Sequence, residues 1–144
     1  MASEEETLRR LAVELQILEG TAEALQSRIN LVNAALTELR VAGATLEGLE
    51  KEKEETSLFV PIGGGSYVKA KLESAEKVIV GLGAGVATER TMQEAKENVE
   101  KRAAELEKTG ETLRQQLTQV LDKIQDGRSK FQELTAKISP REGA

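Results

Sequence analysis

The chain of 144 residues contains no cysteine, no histidine and no tryptophan. That removes disulfides, thiolate or imidazole metal sites, a cysteine nucleophile and a histidine general base, and with them most catalytic constellations. Neither an enzyme nor a bound cofactor is expected. Only three residues are aromatic, Phe59, Tyr67 and Phe131, too few for a large globular core. The longest mostly apolar stretch, Val78 to Ala87, falls far short of the roughly 20 residues a membrane helix needs. The acidic opening Met1-Ala2-Ser3-Glu4-Glu5-Glu6 has neither the basic region nor the apolar run of a secretory signal, so a cytoplasmic protein with no membrane partner is expected. A formal net charge of -5 argues against nucleic acid as a partner, since no basic patch interleaved with aromatics is present.

What is abundant is charge, at 31% of residues, together with leucine and alanine, the composition of long helices and coiled coils. Ser3-x-x-Glu6 has the form of a capping box and predicts a helix start. From Leu8, apolar residues recur in steps of three and four: Leu8, Leu11, Leu15, Leu18, Ala22, Leu25, Ile29, Val32, Leu36, Leu39, Gly43 and Leu46. This 3.5-residue repeat keeps one seam turned to a partner helix. A helix from Ser3 to about Glu55 is then roughly 80 Å long. Thr91-x-x-Glu94 is a second capping box, and a second seam runs from Val99 through Leu113, Ile124 and Gly127 to Ile138, with Pro140 ending the helix. Two seams of nearly equal length predict an antiparallel coiled-coil hairpin. A parallel homodimer also buries the seams, but has to interrupt each coiled coil at the central segment. Pairing the helix ends Thr56 and Thr91 places Gly20 near Gly127, a thin layer expected to bend.

Between the helices the period changes from helical to alternating. Leu58-Phe59-Val60-Pro61-Ile62, Gly63-Gly64-Gly65 and Ser66 to Leu72 read as strand, glycine turn and strand, with Val68, Ala70 and Leu72 on one face. After the polar Glu73 to Glu76, Lys77 to Leu82 places Val78, Val80 and Leu82 on one face, and Gly83-Ala84-Gly85 turns into a fourth strand ending near Arg90. The stretch Gly81 to Val86, "GLGAGV", is only superficially a phosphate loop. It has Val86 where a dinucleotide fingerprint has its third glycine, and no helix opens there. Its glycines supply the positive φ angles of a tight hairpin turn.

The order of long helix, "FVPIGGGSYVKAKL", "EKVIVGLGAGV" and second long helix resembles the alpha subunit of archaeal prefoldin over nearly the whole chain, with Phe59 to Val86 as its specific part. The resemblance implies an α+β fold, mostly α: a long antiparallel coiled-coil hairpin with two central β-hairpins that join those of other subunits in an oligomeric β-barrel platform. Residues 1–56 are then the N-terminal coiled-coil helix, 57–90 the platform and 91–144 the C-terminal coiled-coil helix with a short tail, one structural unit overall. It further implies a hexamer with beta subunits, two alpha and four beta, an ATP-independent chaperone that holds non-native client proteins at coiled-coil tips and passes them to a group II chaperonin. Phe59, Val60, Ile62, Val68, Ala70, Leu72, Val78, Val80 and Leu82 are the platform candidates. Exposed hairpins without a covering helix need such partners on physical grounds as well.

In an antiparallel hairpin the tip lies at the chain termini, which brings Leu8, Leu11 and Leu15 near Phe131, Leu134 and Ile138. Val13 and Ile17 lie one turn apart outside the seam, where apolar side chains read either as a contact surface or as incidental surface apolarity. These eight are the client-binding candidates. Two rivals remain: a passive coiled-coil scaffold without client binding, and a nucleotide-dependent enzyme using "GLGAGV".

Overall fold

In a computed structural model, residues 3–138 are described; Pro140, expected to end the second helix, lies outside them. Helix α1 (Glu4–Glu50) is followed by strands β1 (Ser57–Gly63), β2 (Ser66–Lys71), β3 (Lys77–Gly83) and β4 (Val86–Thr91), then helix α2 (Met92–Ile138). Each helix has 47 residues. The fold is α+β, mostly α, with two long helices and two small antiparallel hairpins.

Both helix starts are set by side chains that satisfy backbone donors left free by the first turn. The Glu6 N–H donates to Ser3 Oγ at 3.1 Å, and the Glu94 N–H donates to Thr91 Oγ1 at 3.1 Å. Helix α1 stops at Glu50 rather than near Glu55. Its last turn contains Gly48, a weak helix former, and no basic residue, and the next five residues, Lys51 to Glu55, mix two lysines with three glutamates. The chain instead turns tightly. The Thr56 hydroxyl and N–H both donate to the Lys53 carbonyl, at 2.6 and 3.3 Å, and Glu55 takes a left-handed φ of 66°.

The chain forms two compact units. Among the described residues, the first comprises 3–34 and 107–138. Within it the helices run antiparallel, with Leu15 against Gly127 and Val32 against Gly110. Leu25, Ile29 and Leu113 are buried, with Val32, Leu117 and Val120 packed around them; each fully buried aliphatic side chain contributes roughly 1.5–3 kcal/mol. The Gly20–Gly127 pairing expected from the sequence does not occur. Gly20 faces open space, while a Cβ at Gly127 would sit 2.7 Å from Leu15 Cδ2. Gly127 is a point of close approach, where α1 presses a leucine onto bare backbone.

The second unit comprises Ala35–Leu106. Gly43 lies against Val99, Leu36, Leu39, Met92 and Ala95 are buried, and Lys96 Nζ reaches Glu50 at 3.0 Å. The hairpins form two separate two-stranded sheets, β1 with β2 and β3 with β4. They share one design. Ser57 pairs with Lys71 and Gly63 with Ser66, as Lys77 pairs with Thr91 and Gly83 with Val86, and each first strand bulges by one residue, at Ile62 and at Leu82. Both turns are two residues with positive φ throughout, Gly64 (59°) and Gly65 (75°) in one, Ala84 (52°) and Gly85 (76°) in the other. That is the type I′ turn whose twist matches a hairpin. "GLGAGV" is therefore a strand end, a turn and a strand start.

Candidate functional site

Two apolar surfaces stand out, one in each unit. In the first, the end of the helix pair nearest Glu4 and Ile138 carries a groove of about 410 Å³. Leu11 of α1 and Leu134 of α2 form its floor, and Arg10, Glu14, Lys130, Glu133 and Lys137 stand around it. A second depression of about 250 Å³ shares Leu11, Glu14 and Lys130 and continues along Leu15, Leu18 and Gly127. The missing side chain at Gly127 opens this floor, and Leu15 fills part of the space. Long charged side chains of both signs carry flexible aliphatic stems, so the rim adapts to apolar segments of varied shape.

The sequence-derived tip residues divide into three groups. Leu8, Leu11, Phe131, Leu134 and Ile138 are half-buried, apolar surface available beside a seam that is closed further in. Leu15 is buried. Val13 (55% exposed) and Ile17 (64%) lie outside the seam, on a different face of α1 from the groove floor. Glu19 and Arg128 pair at 2.9 Å across the two helices.

In the second unit the hairpins present apolar side chains on both faces. One face carries Leu58, Ala70, Val78 and Val80, all half-buried, with Val60 and Val68 more exposed. On the opposite face Phe59 (67%) and Tyr67 (62%) stand in water, as does Ile79 of the other hairpin at 77%. The bulge residues Ile62 and Leu82 are exposed too, and Leu72 is half-buried just beyond β2. Ile79 lies outside the alternating set Val78, Val80 and Leu82 that the sequence predicts for one face of this strand. Val78-Ile79-Val80 is apolar without alternation, so both faces of β3 are apolar. Among the described residues each sheet also has its outer edges unpaired, a state that invites further strands.

The electrostatics are those of a solvated surface. Lys96 is raised above the ordinary lysine value, chiefly by its hydrogen bond to the Glu50 carboxylate and further by the charges of Glu50, Glu47 and Glu100, against a smaller desolvation effect. No group of three or more acidic residues among those described is arranged to hold a metal ion. No described helix is long and apolar enough to cross a membrane.

Comparison with known proteins agrees with this architecture. The family model described as Prefoldin subunit matches residues 18–137. The chain is 34% identical over 140 residues to the prefoldin subunit alpha of Pyrococcus horikoshii, covering 96% of this chain and 95% of that one. It is 35% identical over 143 residues to the prefoldin subunit alpha of Methanosarcina mazei, covering 97% and 98%. Among solved structures, the cryo-EM structure of filamentous PFD from Methanocaldococcus jannaschii matches with a TM-score of 0.69 at 28% identity, covering 78% of this chain and 93% of that one.

Proposed function

The chain belongs to the prefoldin family, and on that premise we propose that it is a holdase subunit, which captures non-native proteins without ATP and delivers them to a group II chaperonin. The observation that carries the reading is the groove floored by Leu11 and Leu134, an adaptable apolar surface with a mixed-charge rim. A non-native chain displays varied apolar segments, and a shallow surface with mobile borders accepts more of them than a shaped pocket does. Leu8, Leu11, Val13, Leu15, Ile17, Phe131, Leu134 and Ile138 are the proposed client-facing residues. Leu15, being buried, acts by holding the floor.

In the same reading the hairpins are assembly elements. Phe59, Val60, Ile62, Val68, Ala70, Leu72, Val78, Val80 and Leu82, with Ile79 and Tyr67 added, are covered by strands of beta subunits in a β-barrel platform, two alpha and four beta chains to a hexamer. Several tips on one platform hold a client at several points, so weak individual contacts add to useful avidity. The working compartment is the cytoplasm. The test is aggregation of a chemically denatured protein diluted into the assembled complex: protection that is independent of ATP is expected. An assembly of full mass that gives no protection would instead be a passive coiled-coil scaffold.

A further inference from the structure

Helix α1 carries a second repeat on the face away from its seam. Val13, Ile17, Gly20, Ala24, Ser27 and Leu31 follow one another in alternating steps of four and three, all uncharged and all exposed. Leu31 is among the most exposed large apolar residues, at 71%, and a Cβ added at Gly20 would meet nothing within 4 Å. The whole stripe lies in the first unit. Helix α2 has no counterpart there, since the positions opposite its own seam are polar, among them Lys108, Gln115, Asp122 and Asp126. A repeat of 3.5 residues selects a helix as its occupant, because knobs at this spacing fit the holes of another helix.

The pattern is also complementary to itself. Antiparallel pairing about a two-fold axis near residue 22 sets Val13 against Leu31 of the other copy, Ile17 against Ser27, and Gly20 against Ala24. Large residues meet at the ends, a large one meets a small one further in, and two small residues stand where the helices approach most closely. On the flanks the same register sets Glu14 against Arg28 of the other copy, twice over by symmetry. The ion pairs among the described residues are made by other side chains. Glu23 meets its own copy at the solvated rim, where like charges cost little. An isologous contact needs self-complementary size and charge of this kind.

We propose that the outer face of α1 from Val13 to Leu31 docks the same face of a second copy of this chain, antiparallel and two-fold symmetric. The contact goes beyond the holdase reading and stands apart from the hairpins. It joins one assembly to another through its coiled coils, and it covers Val13 and Ile17, so clients compete with it. Three heptads make a weak, reversible contact suited to such competition.

The chain lacks cysteine, so single-cysteine variants of the full chain report the register directly. Val13→Cys and Leu31→Cys, at exposed positions that leave the fold intact, are mixed under mild oxidation, with one variant mass-tagged. The mixed disulfide is expected to exceed both like-paired products several-fold. Arg28→Glu should lower its yield about tenfold by turning two attractive pairs repulsive, and Glu14→Arg combined with Arg28→Glu should restore it. Charged substitutions at Val80 and Leu82, which target the hairpins, should leave it unchanged. Products in the proportions of random collision, a predominance of the Val13→Cys like pair, or failure of the charge swap to restore the yield would each overturn the proposal. So would coupling of the Val13→Cys variant only to an added cysteine-bearing denatured protein, which would make this face a client surface alone; the aggregation assay tests the holdase reading separately.

Discussion

Leu15 of α1 lies directly over Gly127 of α2, so close that a β-carbon on the glycine would be 2.7 Å from Leu15 Cδ2. Gly20, which the sequence pairs with Gly127, has open space instead. The two glycines should therefore respond oppositely to one methyl group. Gly20→Ala gains helix propensity without obstruction and should stabilise the chain by up to about 1 kcal/mol. Gly127→Ala gains the same propensity but forces Leu15 to move, and overpacking costs about 1–3 kcal/mol, so a net loss of about 1 kcal/mol is expected. Denaturant midpoints of the two variants shifting in the same direction would show that Gly127 is not a tight contact.

The turn at Ala84 offers a second test. Its φ of 52° costs a residue with a Cβ roughly 1–2 kcal/mol relative to glycine, part of which glycine returns through its freer unfolded chain. Ala84→Gly should stabilise the second hairpin by about 0.5–1 kcal/mol, seen as slower amide exchange in β3 and β4. Faster exchange would contradict the turn geometry.

Lys96 and Glu50 link the helices beside the hairpins at 3.0 Å. Because the bond raises Lys96 above its ordinary value of 10.5, its contribution to stability is complete below that value and is lost as pH rises through the higher folded one. Lys96→Met should melt at a lower temperature than the parent chain at neutral pH. The gap should close in strongly alkaline buffer; a gap constant with pH would mean the methylene stem, and not the charge, matters.

The hairpins should hold the oligomer together and the helices should not need them for their own shape. Ile79→Asp combined with Phe59→Asp places charges on the most exposed apolar face of both hairpins. Native mass spectrometry should show the assembly falling to smaller species, while helical circular dichroism changes little. An unchanged mass would remove this face from the assembly.

Local chemistry made much of this fold legible in advance. The caps at Ser3 and Thr91, the seam leucines and the two glycine turns each act within a few residues, and each stands where its chemistry places it. Register was not legible. It depends on where α1 stops, and the end at Glu50 is followed by the tight turn of Thr56 onto Lys53 and the left-handed Glu55, features that apolar periodicity does not report. The tip was legible as a set of residues but not as a surface. Leu11 and Leu134 line one groove only in the register that the folded helices adopt. On the hairpins, alternation picks out Val78 and Val80 and passes over Ile79, because Val78-Ile79-Val80 is apolar on both faces of β3.

Capture of clients in the groove of the first unit can be tested by a photo-crosslinking residue at the groove floor. Placed at Leu11 or Leu134 in the assembled complex, it should couple to a denatured protein diluted from denaturant. At Leu121, equally in the first unit and exposed but outside the groove, it should not. Coupling from Leu121 as strong as from Leu11 and Leu134, with the assembly intact by mass, would contradict capture in the groove.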